Sequence, residues 1–158
     1  MTDRAELESA VVGDVQALSA ESDRIGRVFA GTHELSSNDF RALLHVMVAE
    51  QSGEPLSAGE LRDLMGLSGA AITYLVERMI SSGHLRRESD PRDRRKVILK
   101  YADHGVAVAE QFFSPLADHT HRAMSDISEQ ELRSAHRVLA AVLDAMREFR
   151  AELDSGHA

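Results

Sequence analysis

The spacing of apolar side chains divides this chain into helical stripes and one pair of short strands. From about Asp3 to Ala30, Leu7, Val11, Val15, Leu18, Ile25, Val28 and Phe29 recur three, four or seven apart, which predicts one long amphipathic helix. A helix of that length with a single stripe needs a partner to cover it. Ser36, Ser37, Asn38 and Asp39 offer capping groups ahead of Phe40, Leu43, Leu44, Met47 and Val48, so a second helix follows; Gln51 to Pro55 reads as a loop. Ser57 and Glu60 have the spacing of a capping box, and Leu61, Leu64 and Met65 share one face before Gly66 stops that helix. Ser68 can cap another at once, with Ile72, Leu75, Val76, Met79 and Ile80 as its stripe and Gly83 as its end. His84–Glu88 and Lys96–Lys100 have strand character around a charged turn. A helix from near Asp103 carries Val106, Ala109, Phe112, Phe113 and Leu116, and Pro115 should kink or break it. Ser128 and Glu131 form another capping box, opening a helix with Leu132, Ala135, Leu139, Val142, Leu143, Met146 and Phe149; the residues from Asp154 are expected to fray.

Two short amphipathic helices joined by a three-residue connection cross steeply, as in helix-turn-helix DNA binders. The outer face of the second begins with Ser68, Gly69, Ala70 and Ala71, small enough for close approach to a major groove. Thr73, Tyr74 and Arg78 on that face can reach bases or phosphates. An ordinary helical hairpin with a solvated face fits these two helices equally well. The next stretch favours the DNA reading: Ser89-Asp90-Pro91-Arg92-Asp93-Arg94-Arg95 makes a basic hairpin tip, the wing of a winged helix-turn-helix. An Arg at such a tip suits the strong negative potential of a narrow minor groove, and Asp93 lies close enough in sequence to orient the Arg95 guanidinium. A solvated charged loop is the alternative.

Composition adds constraints. One domain is natural for 158 residues, and the absence of cysteine excludes disulfides and thiol switches. No apolar run approaches a membrane span, and MTDRAELES lacks the pattern of a signal peptide, so cytoplasm is the expected location and no membrane partner is expected. A net charge of −8 is at odds with DNA binding only until it is divided along the chain. Between Arg62 and Lys100, nine Lys or Arg stand against five Asp or Glu, while the rest carries twelve surplus negative charges. The basic excess falls where the motif falls.

In the order of its elements, in SGAAITYLVERMISSGHLRR and in the wing DPRDRRKVIL, the chain resembles the MarR family of bacterial transcriptional regulators. The resemblance covers nearly the whole chain; Asp93 and Arg95 match the most specific wing motif. Tyr74 departs from it, where a basic residue is common, and so does Lys100, where a Thr often caps the next helix. The resemblance implies a mainly α fold: a winged helix-turn-helix over about 33–100 with a small β-hairpin wing, and dimerisation helices over about 3–31 and 103–153, all in one domain. It implies a homodimer on double-stranded DNA with a palindromic operator, usually repressing and often released by a small-molecule effector. The long terminal stripes agree with a dimer; a monomer whose ends pack on each other is the alternative. Family ligands often lie between the dimerisation helices and the winged region, where His33, Arg41, His45, Phe112 and Phe113 are the candidates, although Phe112 and Phe113 also suit a core.

Other classes have less behind them. Asp118, His119 and His121 diverge on a helix and make a poor metal site, so neither a metal nor a cofactor is expected. No G-x-S-x-G, P-loop or dinucleotide fingerprint points to an enzyme. A protein-interaction module of the same fold without specific DNA binding is the rival function, and Arg78, Arg92, Arg94 and Arg95 weigh against it.

Overall fold

The computed structural model describes residues 3–156. Six helices and a hairpin follow one another: α1 (Arg4–Thr32), α2 (Ser37–Gln51), α3 (Ala58–Met65), α4 (Gly69–Ser81), β1 (Leu85–Ser89), β2 (Val97–Tyr101), α5 (Asp103–Ala123) and α6 (Glu129–Ser155). The fold is mainly α with a two-stranded antiparallel wing, as the sequence predicts. The chain forms two compact units, the larger being Leu18–Ser114; the smaller combines the chain up to Ala17 with that from Pro115 onward. The unit boundaries therefore fall inside α1 and α5 rather than between elements.

In the larger unit, each short helix starts where its capping group predicts. The Ser57 hydroxyl accepts the Glu60 N–H at 3.2 Å, and the Glu60 carboxylate accepts the Ser57 N–H at 2.7 Å. Gly66 closes α3 in the left-handed region at φ 64°, where a Cβ is costly, and leaves room for Ser68 to cap α4 two residues later. That brevity fixes the angle between α3 and α4. Their inner faces bury Leu61 and Met65 against Ile72, Leu75, Val76 and Met79, with Ala42, Leu43 and Val46 of α2 completing the core. Burial of such side chains is worth about 1.5–3 kcal/mol each, so this core holds the motif rigid.

The strands lie one residue later than expected. The His84 N–H is used to close α4, donating to the Met79 carbonyl at 2.9 Å, and the Lys96 N–H is used in the wing turn, donating to the Asp93 carbonyl at 2.9 Å. The register pairs Leu85 with Tyr101 and Ser89 with Val97. Leu99 also donates to the Leu56 carbonyl at 2.7 Å, which ties β2 to the segment ahead of α3. The Tyr101 hydroxyl reaches back to the Leu43 carbonyl at 2.8 Å; burial, aided by nearby Glu50, pushes that phenol's pKa well up.

Of the kink or break expected at Pro115, the break does not occur: α5 runs through it from Asp103 to Ala123. A proline removes one N–H from the ladder, and the turns on either side keep theirs. In the smaller unit, α6 opens with the Ser128–Glu131 capping box, and no residue of it is buried. Leu132, Leu139, Met146 and Leu153 recur every seven residues, with Ala135, Val142 and Phe149 three after the first three of them. This is the a and d pattern of a helix that meets another along a seam. Leu139, Met146, Phe149 and Leu153 are all exposed.

Candidate nucleic-acid interface

The site is built on the outward face of α4 and on the wing beside it. With Ile72, Leu75, Val76 and Met79 turned into the core, helical geometry sends Gly69, Ala70, Thr73, Tyr74, Glu77 and Arg78 outward, and Ala71 is half-buried. The Ser68 hydroxyl caps the helix by accepting the Ala71 N–H at 3.2 Å. Thr73 turns its hydroxyl back onto the Gly69 carbonyl at 2.8 Å. The first turn is therefore small and flat. Tyr74, 68% exposed, is the largest side chain standing out from it.

Arg78 does not project freely. Its guanidinium donates to Oδ1 of Asp39, which is only 2% exposed, while Oδ2 of the same carboxylate accepts the Ser36 N–H at 2.8 Å and caps α2. The hydrogen bond to Asp39 is the main reason the Arg78 pKa is raised. The guanidinium carbon lies 5.1 Å from the centre of the Tyr74 ring, one turn earlier on the same helix. In the sequence Asp39 reads only as one of several capping residues; its reach to α4 carries no local signal.

The wing is shaped by two aspartates that act on the main chain. Asp90, almost fully buried, accepts the Arg92 N–H at 2.8 Å, and Asp93 accepts the Arg95 N–H at 3.0 Å. These are the short side-chain turns that Asp favours. Asp93 thus holds the backbone of Arg95, not its guanidinium as the sequence spacing implies. Arg92 points back from the tip, with its two terminal nitrogens each 3.2 Å from an oxygen of Glu54, whose pKa is lowered by that hydrogen bond and charge.

The nine cations between Arg62 and Lys100 are unequal. Seven face carboxylates: Arg62 with Asp63, Arg78 with Asp39, Arg86 with Glu88, Arg87 with Glu77, Arg92 with Glu54, Lys96 with Glu60 and Lys100 with Glu50. Arg94 and Arg95 have no carboxylate within 4.0 Å among the described residues, and both are exposed. Four of the partners, Asp39, Glu50, Glu54 and Glu60, lie outside the stretch that holds the basic excess. The unneutralised positive charge is therefore at the wing tip.

The residues expected to meet a small ligand separate. His33, Phe112 and Phe113 join Phe29 and Phe40 in one aromatic cluster, with Phe29 at its centre: 4.7 Å from His33, 5.6 Å from Phe40, 5.0 Å from Phe112 and 5.3 Å from Phe113. The periodicity that places Phe29 and Phe40 on helical stripes does not reveal that they meet. Arg41 is exposed on α2 and His45 half-buried. A separate open cleft of about 260 Å³ lies at the wing base, between Glu50, Pro55, Asp90, Arg92, Ile98 and Lys100. Asp118, His119 and His121 are all exposed, and His119 Nδ1 lies 3.0 Å from the Arg122 guanidinium.

Against known proteins, residues 33–96 match the model of the MarR family, a span that includes α2, α3, α4 and the wing turn. The HTH-type transcriptional regulator YcgE of Bacillus subtilis (strain 168) is 28% identical over 145 residues, covering 92% of both chains. A point mutant of MepR from a multidrug-resistant S. aureus clinical isolate has the same fold, with a TM-score of 0.66, 15% identity and coverage of 86% of this chain and 96% of its own. The S. aureus MepR–DNA complex aligns at a TM-score of 0.51 with 16% identity, over 83% of this chain and 96% of its own. The winged fold, the match over residues 33–96 and a regulator relative aligned along nearly its full length make the chain similar to the MarR family of transcriptional regulators.

Proposed function

We propose that this protein is a sequence-specific DNA-binding regulator, a cytoplasmic homodimer that represses from a palindromic operator and is released by a small ligand. The observation that carries the reading is the pair of guanidiniums, Arg94 and Arg95, without a carboxylate partner among the described residues, at the tip of a wing beside the exposed face of α4. Residues 33–100 act as the reading head and 3–31 with 103–153 as the dimerisation helices. Ser68, Gly69, Ala70 and Ala71 let α4 approach the major groove, Thr73 and Tyr74 contact base edges, and Arg78 stands beside them. Arg94 and Arg95 enter the flanking minor groove, on a turn shaped by Asp93 and steadied by Arg92. The unburied heptad face of α6 supports the dimer, because a seam of that length is not left in water. MepR, which shares the fold, is described in complex with DNA, and that agrees with the same docking.

An effector acts here by binding one spacing of the two heads better than another. Contacts to it are assigned to His33, Arg41, His45, Phe112 and Phe113, of which His33, Phe112 and Phe113 already share a cluster. A second reading, a protein-interaction module, draws on the neutralisation of seven of the nine cations. Fluorescence anisotropy over a salt series separates the two. Tight, salt-sensitive binding to the duplex upstream of its own gene, in preference to an unrelated duplex, is expected. Weak and equal binding to both, with no sequence enriched from a randomised library, overturns the DNA reading.

A further inference from the structure

The Asp39 carboxylate does two jobs with its two oxygens: Oδ2 caps α2, and Oδ1 holds the guanidinium of Arg78 in the exposed helix α4. A buried carboxylate is costly unless it is paired and hydrogen-bonded, and Arg78 supplies the charge. The same guanidinium lies over the Tyr74 ring. The order of contact thus runs from the α2 N-terminus through Asp39 and Arg78 to the most exposed aromatic side chain of α4.

We propose that Asp39 is a positioning residue for sequence reading. It clamps Arg78 as a fixed platform beside Tyr74, so that Tyr74 determines specificity and Arg78 is withheld from the phosphates. An unclamped arginine at this place would follow the nearest phosphate, which has no sequence information. A clamped one costs electrostatic affinity and fixes an aromatic edge where bases pass. This role rests on the DNA-reading function proposed above, and it alters the part Arg78 plays in it.

The test is Asp39→Asn, which keeps an oxygen for the Ser36 N–H and removes the charge that holds Arg78. Binding is measured on a duplex enriched by the wild-type protein from a randomised library, and on a scrambled duplex, across a salt series. The variant is expected to bind the scrambled duplex more tightly and to lose about tenfold of its preference, the cost of one weakened base contact. Its salt slope should steepen by about 2, one freed phosphate contact per protomer of a dimer. Adding Arg78→Gln to Asp39→Asn should abolish the extra slope; a purely structural defect would leave it. Without DNA, nitrogen-15 resonances of the Arg78 guanidinium should report restricted rotation in the wild type and free rotation in Asp39→Asn. If the wild type enriches no sequence, the DNA-reading function fails and the positioning role with it. If it enriches a sequence and Asp39→Asn keeps the wild-type preference and slope, the positioning role alone is overturned.

Discussion

Arg94 and Arg95 should dominate the salt dependence of DNA binding, and the size of the effect follows from the charge map. Among the nine cations of the motif they are the pair without a carboxylate within 4.0 Å among the described residues. Each phosphate neutralised adds about 0.9 to the slope of log affinity against log salt. In the proposed dimer, two arginines on each of two wings would make four contacts, so Arg94→Ala with Arg95→Ala should flatten the slope by up to about 3.6. Arg92→Ala is the control. That guanidinium is already held by Glu54 at 3.2 Å on both nitrogens and must leave it to meet DNA, so its loss should change the slope by less than about 1. The measurement is anisotropy between about 50 and 300 mM potassium chloride, with thermal melts alongside. Neither tip side chain has an ion pair among the described residues, so the double variant should melt like the wild type. An unchanged slope in the double variant, or an equal loss in Arg92→Ala, would refute the inference that free cations, not total cations, set phosphate contact.

Leu139→Asp with Met146→Asp should convert the proposed dimer to monomers in sedimentation analysis. Four large apolar side chains lost from a seam cost at least roughly 6 kcal/mol, about four orders of magnitude in dissociation constant; retained dimers would place the interface elsewhere. Gly105→Ala should lower stability by about 2 kcal/mol in chemical denaturation, because a Cβ there would sit 2.3 Å from the His84 carbonyl oxygen, whereas Gly13→Ala, with nothing within 4 Å, should be neutral or gain up to about 1 kcal/mol. His84 makes stability pH-dependent. The residue is 6% exposed, Nδ1 is 2.7 Å from the Ser82 hydroxyl and buried Nε2 has no hydrogen-bond partner among the described residues. Burial, then the neighbouring charges of His104 and His33, push its pKa down against a weaker opposing pull from Asp39. The unfolded chain therefore binds the proton first, so this contribution is complete above the ordinary histidine pKa of about 6.5 and is lost as pH falls from there toward the depressed value. Melting temperature should fall between pH 7.5 and 5 more steeply in the wild type than in His84→Gln, and parallel curves would count against it.

Local signals place the elements because their causes are local. Ser57 with Glu60, Ser68, Gly66 and Ser128 with Glu131 each act within four residues, so the helix starts and the left-handed stop can be read directly. Of the kink or break expected at Pro115, the break is absent for the complementary reason: a single missing N–H is outweighed by a ladder extending on both sides. Likewise, the strands shift by one residue because His84 and Lys96 use their N–H groups in a helix end and a turn, competition invisible in side-chain alternation.

The charge at the site is the least legible feature, and the reason is distance along the chain. Arg78 and Asp39 are 39 residues apart, Arg92 and Glu54 are 38 apart, and Lys96 and Glu60 are 36 apart. A count confined to one stretch assigns all of its cations to DNA, whereas folding brings α2, the following loop and α3 alongside and supplies acids from there. Most of these pairs are exposed and contribute little to stability. Their consequence is functional: an arginine already facing a carboxylate must exchange one anion for another, which yields less than filling a vacancy. The same sequence thus carries a broad basic signal and a narrow basic surface. On the proposed DNA-reading function, specific contact then falls to the uncharged first turn of α4 and to Tyr74, with two tip arginines supplying the attraction.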